Sequence, residues 1–391
     1  MKAKKLYGFN TLIAVLAMLV GLAAQNAFAN DRVVQVGNTN GLIIENSHYT
    51  NGDWANAKAM PLPESFQKPS SQIDSLFDAQ SSISQDIPVA TTGAIGNGKL
   101  NPIRLLPDQT LTPSQTNATS LGSGIVTPQE YGTGGQPYTT NRTNASSDTT
   151  TRYYPFRAAG QLLFKIGTGQ YLCSASLIKK GIVVTAAHCV AGYGTNAFYS
   201  GWQFAPGYDN GIAPYGTSTV KQAWVLTSYL KGTDSCAQRG VVCQDDVAVL
   251  ILNTNLGTST GFFGYGTGSY SYVSNQALIT QLGYPAALDN GLLQERTDSQ
   301  GYVSTSMSNN TIIGSLMTGG SSGGPWLVNL GMQPTLNGTS LGSAPNRNIV
   351  VGVTSWGYTN IAVKQQGASS FTSTNIGALV TSACGASPTS C

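Results

Sequence analysis

Residues 182–189 read Ile-Val-Val-Thr-Ala-Ala-His-Cys, an apolar run of strand length that ends on a histidine beside a cysteine. An imidazole at a strand end is able to take up a proton near neutral pH, although a histidine so placed serves structure as readily as chemistry. Outward from it, further runs of the same kind recur at Gly160 to Ile166, Val247 to Leu252, Ala277 to Leu282 and Ile349 to Trp356, each bounded by Gly, Asn, Ser or Pro. These are strand lengths with turn punctuation, and no long 3.6-residue periodicity competes with them. The pattern predicts an all-β sandwich or pair of barrels from about Thr151 onward, with one helix near the end, from about Asn375 to Ala383.

A second stretch changes the weight of His188. Residues 319–326 read Gly-Gly-Ser-Ser-Gly-Gly-Pro-Trp, and glycine on both sides of a serine pair lets the backbone approach a bound carbonyl and turn its N–H groups to one point. A serine hydroxyl is a poor nucleophile until a base removes its proton as it attacks. His188 is the only imidazole in the cysteine-bearing region. Such a base needs a carboxylate to fix its tautomer; Asp245 and Asp246 stand directly before the apolar run Val247 to Leu252. On these residues alone either aspartate and either of Ser321 and Ser322 fit.

The stretches YLCSASLI (171–178), TAAHCV (185–190), DVAVLIL (246–252), GGSSGGPW (319–326) and TSWG (354–357) resemble, in that order, the motifs of the trypsin and chymotrypsin-like serine peptidases. The likeness runs from about Tyr154 to the end of the chain. It implies two perpendicular antiparallel β-barrels with a short C-terminal helix. It also implies His188 as general base, Asp246 as its orienting carboxylate and Ser322 as nucleophile. Backbone N–H groups of Gly320 and Ser322 would form the oxyanion hole, and Ser355, Trp356 and Gly357 would pair with the extended substrate backbone. Cys173 and Cys189 occupy the positions of the disulfide that braces the histidine loop. Tyr154 to Ala158, Ala213 to Gly216 and Gly261 to Tyr265 look closer to the bacterial glutamyl-endopeptidase branch.

Two departures from that pattern matter. Ser321 stands where the digestive enzymes carry the aspartate that receives the newly made N-terminus, so that ion-pair switch is absent. The Ile-Val-Gly-Gly start is also missing before Tyr154. The pocket for the side chain before the scissile bond is expected to be walled by Leu316, Met317 and Thr318 and by Thr354 to Gly357. Leu316 replaces the aspartate of Arg- or Lys-specific members, and Thr354 replaces the histidine of glutamate-specific ones. An uncharged, small-to-medium or apolar side chain is therefore expected there, with the loop Ala362 to Ser370 placed to reshape the wall.

Only 9% of the chain is charged and the formal net charge is +3, so no basic field is available for nucleic acid or an anionic membrane. Lys2, Lys4 and Lys5 precede an apolar run from Thr11 to Ala24, and Ala27-Phe28-Ala29 fits an export cleavage site. Residues 1–29 are thus expected to be a signal peptide of a secreted protein with no stable membrane association. Residues 30–150 are expected to be a propeptide, Ser/Thr/Gly-rich in its last stretch, ahead of a catalytic domain at 151–391. Six cysteines, an even number, suit an oxidising compartment. Proximity pairs Cys236 with Cys243 and Cys384 with Cys391. No metal site or cofactor is expected, since no CxxC spacing occurs and only His48 and His188 supply imidazole. The rival from another class is a catalytically idle fold of this type that serves in binding or adhesion. An α/β-hydrolase is excluded by the order His, Asp, Ser.

Overall fold

The computed structural model describes residues 31–44, 53–63, 87–107, 135–144, 149–304, 309–332, 346–358 and 363–391. The signal peptide expected over residues 1–29, most of the linker expected before Thr151, and His48 lie outside them. The apolar runs form strands. β1 (Ala159–Ile166), β2 (Gly169–Leu177), β3 (Ile182–Thr185), β4 (Ser200–Pro206), β5 (Ser218–Leu226) and β6 (Ala248–Leu252) bond in the order β5-β4-β1-β2-β3-β6. β6 then pairs back onto β5, with Trp224 opposite Val249, so the sheet closes into a barrel.

A second set repeats the plan. β7 (Gln276–Gly283), β8 (Glu295–Val303), β9 (Asn310–Gly314), β10 (Pro325–Val328), β11 (Ile349–Gly357) and β12 (Gln365–Ser370) bond in the order β10-β7-β8-β9-β12-β11, and β11 closes on β10. Each ring visits its own strands in the cyclic order first, second, third, sixth, fifth, fourth, all pairs antiparallel. Closure removes the free edges that a sheet of this length would otherwise expose. Leu162, Phe164, Val184 and Leu250 fill the first barrel, and Ile279, Ile313 and Val328 the second, all fully or almost fully buried. Each such side chain contributes about 1.5–3 kcal/mol of burial.

The helix expected over residues 375–383 is α-helical over Ala378–Ala386. Its start is displaced because Ser373–Gly377 make a wider π turn, capped by Thr372 and Asn375 through reciprocal side-chain-to-backbone bonds. Leu379, Val380 and Ala383 pack into the first core. The loop expected from Ala362 to Ser370 is corrected: from Gln365 onward these residues are β12, buried along its whole length. Two glutamines followed by Gly, Ala and two serines carry no apolar run, so the strand has no periodic signature in sequence.

The described pieces of the segment expected ahead of the catalytic domain, at 31–44, 53–63, 87–107 and 135–144, pack onto both barrels. Thr39–Ile43 adds to β5 and buries Leu42 and, just beyond it, Ile44 in the first core. Trp54 is buried, stacks on Tyr208 at 5.9 Å and donates to Gln203 Oε1 at 3.2 Å. Lys58–Ala59 pairs parallel with Tyr171–Leu172 of β2, and Tyr138–Arg142 pairs antiparallel with β8. These pieces are two to five residues long, too short to stand out by periodicity.

Candidate active site

Thr185, the last residue of β3, donates from Oγ1 to Ser174 O at 2.9 Å, and the chain then makes one tight turn, Ala187–Cys189. That turn carries His188, and the Cys173–Cys189 disulfide ties it to β2. Asp246 lies just before β6, whose Ala248 pairs with Thr185 of β3. Strand pairing therefore brings the two side chains together. Asp246 Oδ2 lies 2.8 Å from His188 Nδ1, and Oδ1 accepts from His188 N at 2.9 Å. Ser355 of β11 donates to Oδ2 at 2.5 Å. His188 and Asp246 are both buried, and a carboxylate holding Nδ1–H leaves Nε2 as the atom that takes a proton.

The pairs that sequence left open separate by geometry. Asp245 turns away: it accepts from Ser228 Oγ at 2.6 Å, and its N–H donates to Asp234 Oδ2 at 2.8 Å. Burial raises the Asp245 carboxyl, and burial together with the charges of Asp245 and Asp246 pushes Asp234 up to about 8. Ser321 Oγ donates to Thr318 O at 2.7 Å and accepts from Gln366 Nε2 at 3.1 Å. Ser322 Oγ and His188 Nε2 are instead buried with no hydrogen-bond partner among the described residues. Unpaired buried polar atoms are costly and uncommon, and the serine loop lies against the chain leading to His188: Ser322 O accepts from Ser174 N at 2.7 Å, and a Cβ on Gly323 would stand 2.8 Å from Ala186 N.

Two glycines shape the loop around Ser322. Gly320 has φ +91°, and a Cβ there would stand 2.6 Å from Tyr284 O; Gly323 has φ +77°, with a Cβ only 2.0 Å from Thr185 Oγ1. Neither position tolerates a side chain. The Gly320 N–H donates at 2.9 Å to a carbonyl, that of Met60 in the N-terminal segment. The same segment runs on between β2 and β11. Met60 N donates to Leu172 O at 2.8 Å and Gly357 N donates to Pro63 O at 3.2 Å. Leu62 is buried, its Cδ1 2.8 Å from where a Cβ on Gly357 would stand.

Of the expected pocket residues, Met317 is buried and Leu316 and Thr318 are partly exposed. Thr318 Oγ1 accepts from Ala287 N at 3.1 Å. Thr354 is wholly buried and its Oγ1 accepts from Gln281 Nε2 at 2.8 Å and Trp326 Nε1 at 2.9 Å. Trp356 donates to Asn310 Oδ1 at 2.8 Å. Sequence reading missed Gln366, whose Cγ lies 3.3 Å from the Gly357 Cβ position and whose Nε2 donates to Met317 O at 2.8 Å. The signal was two adjacent glutamines in a segment otherwise of small residues.

The cysteines pair as Cys173–Cys189, Cys236–Cys243 and Cys384–Cys391. Two groups of possible metal ligands occur among the described residues, Cys173 with His188 and Cys189, and Asp234 with Cys236 and Cys243. In each, both sulfurs are spent in one disulfide, so neither group offers thiolates.

Comparison with known proteins gives one family, described as Trypsin, whose model matches residues 144–374. Among curated relatives, an extracellular metalloprotease of Bacillus subtilis is 30% identical over 150 residues. A glutamyl endopeptidase of Bacillus licheniformis is 26% identical over 153 residues. Each match takes in 38% of this chain and 44% of the relative, so the chain spans under half the length of these proteins. Among solved structures, a thermostable serine protease from an extremophilic microorganism aligns with TM-score 0.45 at 22% identity, over 56% of this chain and 92% of that one.

Proposed function

Because this chain belongs to the trypsin family, we propose that it is a secreted serine endopeptidase with His188, Asp246 and Ser322 as its catalytic groups. The observation that supports the reading is the buried His188–Asp246 pair, with His188 Nε2 and the Ser322 hydroxyl both left unpartnered and a Gly320 N–H already turned to a carbonyl. In the reaction Ser322 Oγ attacks the substrate carbonyl carbon as its proton passes to His188 Nε2. Asp246 stabilises the imidazolium that results. The oxyanion is held by the N–H groups of Gly320 and Ser322. Collapse expels the amine, which takes the proton from His188 and leaves an acyl-Ser322. Water, deprotonated in turn by His188, releases the acid and restores the hydroxyl.

Residues 30–150 serve in this reading as a propeptide that follows an export signal at 1–29. Its support is the segment 58–63 in the cleft. Residues on the N-terminal side of a scissile bond are expected along Ser355 to Gly357. Here Met60 O meets Gly320 N–H, yet it is Pro63, on the C-terminal side, that reaches Gly357. The segment thus runs opposite to a substrate and blocks the cleft without offering a bond in the cleavable direction. Leu62 beside Gly357 and Gln366 supports an uncharged, apolar side chain as the one read before the scissile bond in polypeptide substrates.

A fluorophosphonate probe tests the reading. The exported chain trimmed of its N-terminal segment should be labelled at Ser322 and hydrolyse peptides, while the full chain is labelled slowly. N-terminal sequencing of the labelled form locates the cut. Labelling that persists in Ser322→Ala, or equal rates for the full and trimmed chains, would count against the nucleophile or the propeptide respectively.

A further inference from the structure

The loop from Ser315 to Gly323 carries the proposed nucleophile and the Gly320 N–H, yet it has Ser321 where an aspartate would be tied down by a charged N-terminus. What holds it is a chain of buried neutral groups. Gln366 Nε2 donates to Met317 O at 2.8 Å and to Ser321 Oγ at 3.1 Å. Ser321 Oγ in turn donates to Thr318 O at 2.7 Å. Behind Gln366, its Oε1 accepts from Gln281 Nε2, which also donates to Thr354 Oγ1. Gln281 Oε1 accepts in turn from Ser315 Oγ at 2.9 Å, and Ser315 Oγ accepts from Met317 N at 3.1 Å. Gln281, Gln366, Ser315, Ser321 and Thr354 are all at most 2% exposed.

The donor order in this chain has one solution. Met317 O only accepts, so it must face the nitrogen of Gln366; the Gln366 oxygen then faces Gln281, whose nitrogen must point to it. That leaves the Gln281 oxygen for the Ser315 hydroxyl. Thr354 Oγ1 accepts both the Trp326 indole N–H and Gln281 Nε2, its own hydroxyl facing Gly324 O at 3.4 Å. Turning either amide over would set oxygen against oxygen and leave buried donors unpaired, at a cost larger than that of any one of these bonds.

We propose that Gln366 and Gln281 are positioning residues that hold the Ser315 to Gly323 loop in its reactive form through Ser321, in place of an ion pair made by a free N-terminus. The inference rests on the peptidase reading for its kinetic consequence, but not for its structural one. Since no charge created by cleavage is required, the loop is already formed in the full chain, and trimming acts by clearing Met60 to Pro63 from the cleft.

The test uses Ser321→Ala and Gln281→Leu. In the full chain both should speed amide hydrogen exchange in residues 318–324 while the strands of the second barrel exchange as before. In the trimmed chain kcat should fall on the order of 10- to 100-fold, the range expected of a slight misplacement of reacting groups, with KM within about twofold. A uniform packing defect would instead raise exchange across β7 and β12 together. Should Gln281→Leu fail to fold, Ser321→Ala, which removes one hydroxyl, carries the test. Wild-type exchange in residues 318–324 of both variants, or kcat unchanged in a wild type that does turn over, overturns the proposal. Faster loop exchange in a chain that cleaves no peptide supports the loop assignment and counts against the peptidase reading alone.

Discussion

Asp246 receives hydrogen bonds from the backbone and ring of His188 and from Ser355. All three donors point at two oxygens that are almost wholly buried. Asp246→Asn keeps the shape but brings an NH2 against at least one of these donors, and it favours the tautomer in which His188 Nδ1 accepts. The loss expected in kcat is about 10^4-fold, with little change in KM; stopped-flow turnover of the trimmed chain measures it, and a loss under tenfold would remove Asp246 from the proposed triad. His188 and the two aspartates were legible in the sequence because they flank apolar strands. Choosing between Asp245 and Asp246, or between Ser321 and Ser322, took the family resemblance, since neighbours in sequence differ only in which way a backbone turn points them. Gln366 left only the faint trace of two adjacent glutamines among small residues. An amide reads as a solvated side chain until its partners Met317 and Ser321, more than 40 residues away in the chain, are seen beside it.

At the scale of elements, the Cys173–Cys189 disulfide joins β2 to the turn that bears His188 and closes 16 residues. Replacing both cysteines by alanine should lower stability by about 3 kcal/mol and depress activity further than stability, because the freed turn carries the proposed base. Thermal melts set beside residual activity at 25 °C check this; an active-site effect no larger than that of opening Cys384–Cys391, which is far along the chain from His188, would refute it. The segment 58–63 makes a contrary prediction. Leu62 is buried against Gly357, and Leu62→Asp places a carboxylate in that apolar contact, which costs several kcal/mol unless the segment leaves. The full chain should then gain peptidase activity toward that of the trimmed form, and an unchanged rate would show that the segment does not gate the cleft. Barrel strands such as β1, β6 and β11 were legible as apolar runs. The pieces at 39–43, 58–59 and 138–142 were not, because each borrows its stability from a sheet formed elsewhere in the chain.

Among the described residues, burial pushes one carboxyl beside each barrel far enough up to stay protonated near neutrality. Asp234, beside Asp245 and Asp246, is pushed up to about 8, and so is Glu295 at the start of β8, where Asp289 adds to the effect of burial and Arg142 opposes it. An acid whose folded pKa exceeds its unfolded value binds more protons folded than unfolded between the two values. Its contribution is therefore fully present below about 4 and is lost as pH rises toward 8. Stability of the full chain should decline across that window, each carboxyl accounting for an effect on the order of a few kcal/mol. Asp234→Asn retains a carbonyl to accept from Asp245 N, so it should match the wild type near pH 4 and exceed it in Tm at pH 9. Glu295→Gln should do the same, although there the lost charge also weakens the hold on Arg142 from the N-terminal strand 138–142. The two residues share no hydrogen-bond partner, so the gains at pH 9 should add. Melting curves of the four chains at half-unit pH steps decide the matter: a difference between wild type and variant that stays constant from pH 4 to pH 9 would mean that neither carboxyl changes ionisation in the folded protein.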